Sequence, residues 1–501
     1  MTGVHSTRCA RQLTSFQVPY WRHGTALQWL EKGNALFLSL VMVPAMVLLT
    51  SLCIVSPGQA QTPEAAFKTA LFPTICGSLD PSPPLPVTGR DDLKRRCDEL
   101  AGAGAPDLPL RQVASEEVAT QGRNAVETST KTIGARLAAL RRGASGINIQ
   151  GLGVNIKEPT LPGTLVAALG PFAAASSTPQ TPTPTTPSPF AGLGLFANGI
   201  FSVGDRDPTS NEDGFDFHIY GVIAGLDYRF TPKLVLGGAF TYQSTANDLD
   251  NTMTLRLGVP TSVNGGSADT RSYGFSLYGT YYVLEQLYVD GILGFGWNDY
   301  RLDRVINYGL GVIPSGPTPL VNQIARTDTN GHQFSFSVGA GYDFKQGPWT
   351  YGPLARLQYI KLNIDGYQEK INNTNPGFGW ALALDSQDVE SLTTVLGGRA
   401  SYAISTGLGV LLPQVRIEWE HEFKDDSRLI TARFVYDPQR QFPDHTIRFT
   451  TDSPDRNYAN LGVSLSATFR GGIAAFIDYE TVLGLAHVSR HDITLGVRGE
   501  L

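Results

Sequence analysis

The sequence predicts an all-β protein, a 12-stranded antiparallel transmembrane β-barrel, preceded by a small and mostly helical N-terminal region. Apolar and polar residues alternate with a period of two from residue 190 to 501, as expected for strands with two different faces. The connections between these segments are short and long in turn, which is typical of barrels that cross a membrane. Only 17% of the 501 residues are charged, below the roughly 25% of an ordinary soluble domain.

The remaining composition agrees with this class. The chain has 54 Gly and 43 Tyr and Phe together, and its formal net charge is −6. A nucleic-acid-binding protein would favour a basic surface, so no nucleic-acid partner is expected. The absence of a Gly-X-Y period excludes a collagen.

Residues 1–60 are predicted to be a signal peptide. Basic residues precede an apolar run at 35–55, and a helix-breaking stretch with small residues follows it. This order predicts cleavage between Ala60 and Gln61. The alternative is a permanent transmembrane helix, since about 20 apolar residues suffice to span a bilayer. Pro44 within the run and the cleavage-like end favour the signal peptide.

Two cysteines, Cys76 and Cys97, remain after this cleavage. The signal peptide directs the chain to an oxidising compartment, where disulfides persist, so we expect the two to be joined. The alternative, a metal site, lacks a nearby His or further Cys to complete the ligand set.

The region 61–175 is predicted to be short and helical. A charged helix is expected at 91–100, and a longer one at 115–142 with an apolar stripe formed by Val126, Ile133, Leu137 and Leu140. We interpret the stripe as packing against the neighbouring helix. The composition of residues 176–189, SSTPQTPTPTTPSP, predicts an extended, polyproline-like linker.

Residues 190–501 contain the barrel strands. Short connections alternate with long ones, as periplasmic turns alternate with outer loops, and such barrels have an even strand number. A further candidate strand, 429–436, is therefore assigned to the long loop 424–456. The predicted strands are 190–204, 215–230, 233–246, 269–282, 286–303, 326–344, 349–368, 390–404, 408–423, 457–469, 472–483 and 490–501.

The two faces of a strand predict which side meets lipid. In the second strand Tyr220, Leu226 and Phe230 share one face, and Asp227 and Arg229 lie on the other. Ten residues at about 3.3 Å each, tilted by about 40°, cover roughly 25 Å, the height of the lipid band.

Charged residues on the opposite faces are expected to line the lumen. They form either a salt-bridged, partly water-filled interior or a track that holds a passing or plugging peptide. In the second case Glu418, Glu420, Asp478 and Glu480 would meet Lys131, Arg136, Arg141 and Arg142 of the helix. The predicted lumen charges are Asp227, Arg229, Asp290, Arg356, Arg399, Arg416, Glu418, Glu420, Asp478, Glu480 and Arg498.

The sequence shows no catalytic pattern. There is no GxSxG, no HExxH and no Gly-rich P-loop, and the eight His are scattered. We therefore expect no enzymatic activity, and we assign no catalytic, cofactor-binding or metal-binding residue.

Several local patterns carry a resemblance to a known family. They are GFDFHIYGVIAGLDYRF (214–230), SYGFSLYGTYY (272–282), PQVRIEWEHEF (413–423), ITARF (430–434), AAFIDYETVLG (474–484) and ITLGVRGEL (493–501). Over about 310 residues, from Phe190 to Leu501, the chain resembles the β-domain of the autotransporters, the type V secretion barrels of Gram-negative bacteria.

This resemblance implies a monomeric barrel in the outer membrane, in contact with its lipid, with both ends of the barrel in the periplasm. It also implies export by the general secretion machinery and insertion by the barrel-assembly machinery. The barrel would then carry its N-terminal region outward. The alternative is a structural or binding barrel without secretion, whose N-terminal region is periplasmic or plugs the lumen. A surface esterase, found in some members, needs a passenger of several hundred residues, which 61–189 does not provide.

Two features depart from the family pattern. The chain ends in Leu501 where family barrels usually end in an aromatic residue. In addition, residues 143–189 separate the predicted helix from the first strand, whereas the pore-plugging helix of the family normally runs straight into it. Either the helix is not the plug or the linker lies in the pore.

Overall fold

The computed structural model describes the barrel and three helical segments before it. The predicted signal peptide 1–60, its cleavage site at Ala60 and Gln61, the linker 176–189 and Leu501 lie outside the described residues. The structure describes residues 74–79, 88–102, 115–141, 192–209, 211–256, 259–309, 312–313, 316–317, 320–372, 375–469 and 473–500.

The helices of the described residues are α1 (Cys76–Ser78), α2 (Gly89–Gly102) and α3 (Ser115–Arg141), with 3₁₀ turns at Phe378–Trp380 and Pro443–His445. The strands are β1 (Leu193–Arg206), β2 (Phe215–Thr231), β3 (Leu234–Leu249), β4 (Thr252–Arg256), β5 (Val259–Val263), β6 (Gly266–Tyr282), β7 (Leu287–Tyr308), β8 (Val312–Ile313), β9 (Gly316–Pro317), β10 (Val321–Tyr342), β11 (Phe344–Gln346), β12 (Trp349–Ile364), β13 (Tyr367–Gln368), β14 (Leu382–Leu384), β15 (Gln387–Tyr402), β16 (Ile404–Thr406), β17 (Gly409–Glu422), β18 (Leu429–Phe434), β19 (Ile447–Thr450), β20 (Asn457–Phe469), β21 (Ala474–Leu483) and β22 (Val488–Glu500).

Twelve of these strands close into one antiparallel barrel, which confirms the predicted fold. Each strand pairs with the next, and β22 pairs with β1 to close the ring. The short strands β11 and β16 continue β10 and β15 after one-residue interruptions. In order around the barrel the twelve are β1, β2, β3, β6, β7, β10, β12, β15, β17, β20, β21 and β22.

The connections place all short turns at one end of the barrel, which we call the short-turn end. The opposite end, where β1 leads to β2 and β7 leads to β10, is the long-loop end. Leu193 begins β1 at the short-turn end, because it pairs with Tyr228 close to the turn between β2 and β3.

The outer surface carries an apolar band. On β2, Tyr220, Leu226 and Phe230 are 57%, 53% and 59% exposed, while Asp227 between them is 2% exposed. Apolar side chains outside and polar ones inside are the reverse of a soluble domain and suit contact with lipid. Among the described residues, no helix combines the length and the apolar character needed to span a bilayer.

The strands β7 and β10 are longer than predicted. β7 continues to Tyr308, whereas its predicted end was 303. β10 begins at Val321, whereas its predicted start was 326. Beyond Trp297 the same positions continue to face outward, but the polarity of the two faces is inverted. The outward position is now the polar Asp299, and the buried position is the aromatic Tyr300. The extension therefore lies above the lipid band, where its inner face supports a separate core.

That core lies at the long-loop end. Four strands, β13, β14, β18 and β19, form a small sheet there, so the extra strand predicted at 429–436 does lie outside the barrel. The helices α1 and α2, the extension of β7 and β10, and this sheet bury one apolar cluster, which includes Leu93, Leu100, Tyr308, Trp380 and Phe434.

Candidate functional site in the barrel lumen

The helix α3 lies inside the barrel. It contacts β3, β6, β7, β10 and β12, and it forms ion pairs with β2, β7, β21 and β22. Near its N-terminus the Gln121 amide donates to the Ala268 carbonyl oxygen at 2.8 Å, where β6 begins at the long-loop end. Near its C-terminus Arg141 pairs with Asp290, where β7 begins at the short-turn end. The chain therefore runs through the lumen from the long-loop end to the short-turn end.

The apolar stripe of α3 packs against the barrel wall. Ile133, Leu137 and Leu140 are almost fully buried against a cluster that includes Phe196 and Ile223. The interpretation that this stripe packs on a neighbouring helix is wrong. Inward-facing apolar residues on β1 to β7 supply the surface instead, because one side of this lumen is less polar than the alternation predicted. The helix is a lumen plug although residues 143–189 separate it from β1.

Arg136 and Asp227 form the most enclosed ion pair between the helix and the wall. The guanidinium donates from Nε and Nη2 to the two carboxylate oxygens at 2.7 and 2.8 Å, and each side chain is 2% exposed. The Tyr278 hydroxyl donates to the same carboxylate at 3.1 Å. A Cβ on Gly194 would lie 2.4 Å from Arg136 Nη2, so a glycine on β1 makes room for the pair.

Lys131 contacts the acidic side of the wall, the arrangement given above for a lumen that holds a plugging peptide. Its Nζ lies 2.7 Å from Glu480 and 3.9 Å from Glu420. Glu480 also binds Arg416, and Glu420 accepts hydrogen bonds from Tyr458 and Asn460. Among the other predicted lumen charges, Arg416 lies 3.3 Å from Glu418 and 3.6 Å from Asp478, and Arg356 lies 3.2 Å from Glu418.

Arg141 binds at the short-turn end. It pairs with Asp290, and its guanidinium carbon lies 3.7 Å from the centre of the Tyr288 ring. Arg399 lies 5.4 Å from the same ring and binds Asp343 at 2.7 Å. Stacking on an aromatic ring stabilises a partly desolvated guanidinium.

The two remaining predicted lumen charges lie against aromatic rings. Arg229 is 5.9 Å from the Tyr282 ring, and Arg498 is 5.1 Å from the Phe476 ring. Arg136 and Arg141 were expected to meet Glu418, Glu420, Asp478 or Glu480, but they bind Asp227 and Asp290 instead. Arg142 lies outside the described residues.

Sequence reasoning missed a second charge cluster. Arg490 binds Glu127 of α3 at 3.3 Å and Asp492 of its own strand at 3.1 Å. Positions 490 and 492 have the same parity as Arg498, so the alternation of β22 could have identified both. Glu127 lies one helical turn before Lys131, on the same face of α3.

A cavity of about 100 Å³ remains beside the C-terminal half of α3. The helix presents Gly134, Ala135 and Ala138 to it, and the wall presents Arg356 and Asp478. These small residues leave space beside the helix, and Lys131, Arg136 and Arg141 of the ion pairs border the same cavity.

A second contact lies at the long-loop end. We call residues 74–79 and 88–102, which include α1 and α2, the cap. Cys76 and Cys97 are joined by a disulfide in the structure, with a Cα–Cα distance of 5.6 Å. The buried carboxylate of Asp92 accepts hydrogen bonds from the backbone N–H groups of Gly377 and Gly379 at 3.0 and 2.8 Å. The cap is thus fixed to the 3₁₀ turn that precedes β14.

The charges of the cap form a connected group. Arg96 lies 3.4 Å from Asp92 and donates to Glu99 at 2.6 Å. Burial raises the pKa of Glu99 from 4.5 to about 7, although the neighbouring Arg96 acts in the opposite direction. In the apolar cluster under the cap, the Trp380 indole donates to the Tyr308 hydroxyl at 2.9 Å.

Known proteins resemble this chain over only part of its length and part of theirs. Over 142 residues the chain is 30% identical to "Esterase EstA" of Pseudomonas aeruginosa, a match that covers 27% of this chain and 20% of EstA. Over 178 residues it is 25% identical to "Outer membrane protein B" of Rickettsia japonica, covering 35% of this chain and 10% of that protein. The chain thus spans about a fifth of the length of the EstA relatives that it matches.

Among solved structures, the translocator domain of autotransporter NalP from Neisseria meningitidis is similar, with a TM-score of 0.45 and 14% identity. That match covers 62% of this chain and 88% of the NalP chain. A family model described as the autotransporter β-domain matches residues 195–480, from β1 to β21. Since this match covers more than half of the sequence and the barrel is closed, the chain belongs to the autotransporter β-domain family, and it is an outer-membrane β-barrel protein.

Proposed function

We propose that the barrel delivers the part of its own N-terminal region that precedes α3 across the outer membrane and displays the cap at the cell surface. The observation that carries this proposal is the direction of α3, whose N-terminal end lies at the long-loop end of the barrel while β1 starts at the short-turn end. In outer-membrane barrels the short turns face the periplasm and the long loops face outward. The N-terminal region would therefore have passed outward through the lumen.

The docking of the cap supports display rather than release. Asp92 is buried against Gly377 and Gly379, and the apolar cluster around Leu93 and Trp380 joins the cap to strands of the barrel chain. In the same proposal the general secretion machinery exports the chain, and the barrel-assembly machinery inserts it.

An epitope tag placed between residues 61 and 74 tests the orientation. On intact cells an antibody is expected to reach this tag. A matched tag in the turn at 347–348 should be reached only after the outer membrane is opened. Protection of the first tag on intact cells would contradict surface display.

A structural role without secretion is the second candidate. It is favoured by one observation, namely that α3 occupies the lumen while the cap packs on the core at the long-loop end.

We further propose that the chain is not an esterase. The match to EstA covers a fifth of that protein, and the sequence has no GxSxG pattern. The purified protein should not hydrolyse p-nitrophenyl butyrate above the rate of a boiled sample. Turnover that a serine-reactive phosphonate abolishes would contradict this proposal.

A further inference from the structure

Three basic residues of α3 bind three acidic residues of the wall in a regular order. Lys131, Arg136 and Arg141 are spaced by five residues, and they bind Glu480, Asp227 and Asp290. Around the barrel, β21, β2 and β7 carry these acids, and each is three strands beyond the one before. We call the three pairs the charge ladder.

We propose that the charge ladder determines the register at which α3 stops in the barrel. The inference deepens the proposed outward delivery and rests on it. A chain that moves outward through the lumen needs a defined stopping point, and a set of ion pairs that is complete at only one register supplies one.

A shift by one helical turn breaks every ion pair of the charge ladder. An advance along the helix axis by n residues places residue i+n where residue i was, because a helix superimposes on itself by a screw motion. After an outward shift of four residues, Ala135 and Leu140 face Glu480 and Asp227. Lys131 then takes the place of Glu127 and faces Arg490, a like charge.

An outward shift of five residues, about 7.5 Å, preserves part of the ladder. Arg136 would face Glu480, and Arg141 would face Asp227. Gly146 would then face Asp290, and Arg142 would take the buried apolar place of Leu137.

An inward shift of five residues fails for related reasons. Lys131 would face Asp227, and Arg136 would face Asp290, but Val126 would face Glu480. Thr132 would replace Leu137 in the apolar cluster. The register in the structure therefore satisfies more partners than any of these neighbouring registers.

Crosslinking of paired cysteines with a short bifunctional thiol reagent reports the register. Ser129 Oγ lies 3.2 Å from Nε2 at the end of the Gln243 side chain of β3, so Ser129→Cys with Gln243→Cys, bridged by such a reagent, reports the observed register. Gly134→Cys with Gln243→Cys reports the outward shift by five, and Asn124→Cys with Gln243→Cys reports the inward one. A Cβ at Gly134 meets no atom within 4 Å, so this substitution fits. The products are identified by mass spectrometry of peptides from the full chain in outer membranes.

The decisive variant moves the ladder without changing its charge. Val126→Lys with Arg141→Gln places basic residues at 126, 131 and 136. An inward shift by five residues then restores the ion pairs to all three acidic residues of the wall. The 124–243 crosslink is then expected to replace the 129–243 crosslink as the main product. The conservative variant Arg136→Lys should retain the 129–243 product.

The outcomes separate the two proposals. If the moved ladder still gives only the 129–243 crosslink, the charge ladder does not set the register, whatever the orientation of the chain. If the crosslinks shift as expected but the tag between 61 and 74 is protected on intact wild-type cells, outward delivery is wrong, and with it the role of the ladder as a stop. Both results together, a shifted crosslink and an accessible tag, support the inference.

Discussion

The backbone N–H of Gly379 donates a 2.8 Å hydrogen bond to the carboxylate of Asp92, which lies 287 residues earlier in the chain. A Cβ on Gly379 would lie 2.3 Å from the backbone nitrogen of Leu93. The contact between the cap and the long-loop end is therefore one of backbone against backbone.

Gly379→Ala should loosen the cap, because a methyl group at this position pushes α2 away from the 3₁₀ turn. Overpacking of this kind costs about 1–3 kcal/mol. Limited proteolysis of the purified protein should cleave within 80–114 faster than in the wild type. Gly407→Ala is the matched control, since a Cβ there meets no atom within 4 Å. Equal cleavage rates for both variants would contradict a tight cap contact.

Arg136→Ala should destabilise the barrel. It leaves the carboxylate of Asp227 buried without its partner, and breaking a buried pair in this way costs about 3–5 kcal/mol. The temperature at which the folded band is lost on SDS gels should fall. Arg301→Ala, which breaks an exposed pair with Asp328 on the outer face, should cost at most about 1 kcal/mol. The same loss in both variants would mean that the lumen pair contributes no special stability.

The stability of cap docking should depend on pH through Glu99. The folded-state pKa of this group, about 7, lies above its ordinary value of 4.5. The docked state then binds the proton more tightly than the undocked state, so docking is strongest below pH 4.5 and weakens as the pH rises to 7. The hydrogen-exchange protection of α2, taken relative to the intrinsic exchange rate at each pH, should be lower at pH 8 than at pH 5. Glu99→Gln should remove this difference, whereas the distant Asp328→Asn should retain it.

Cys76 and Cys97 should be joined in the mature protein. Alkylation without reduction, followed by mass spectrometry, should find neither thiol modified. A cross-link over this separation of 21 residues is worth about 3 kcal/mol in the chain-entropy model. Cys76→Ala with Cys97→Ala should accordingly increase the protease sensitivity of the cap. Two alkylated thiols in unreduced protein would refute the pairing.

The segment between Asp437 and Asp444 should be accessible at the cell surface. Residues 440–442 are exposed in the structure and belong to the long-loop end. A tag inserted after Gln441 should be reached by antibody on unbroken cells. A tag in the turn at 347–348 should be reached only after permeabilisation, and the reverse pattern would invert the proposed orientation.

The sequence was sufficient to predict the barrel, because alternation and connection length are local signals. The twelve strands and the separate strand at 429–434 follow from them. The extension of β7 to Tyr308 did not follow, since its apolar residues face a core outside the lipid that forms only when the cap and the small sheet meet.

The lumen charges were predictable as a set but not as pairs. Parity placed Asp227 and Asp290 on inner faces, and helical spacing placed Arg136 and Arg141 on α3. Which acid meets which base depends on how far each strand is staggered against the next and on where α3 stops. Neither quantity is encoded within one segment, and the same holds for the contact of Asp92 with Gly379.

The passage of α3 through a closed ring has a mechanical consequence. The cap is a folded body wider than the single helix that the lumen holds, and it is attached to one end of that helix. If a protease cut the chain between residues 142 and 190, the fragment that carries the cap could not be withdrawn through the short-turn end without unfolding. It would remain interlocked with the barrel, because the cap lies at one end of the helix that passes through the closed ring of strands. Its retention against an inward pull would therefore not depend on a covalent bond to β1.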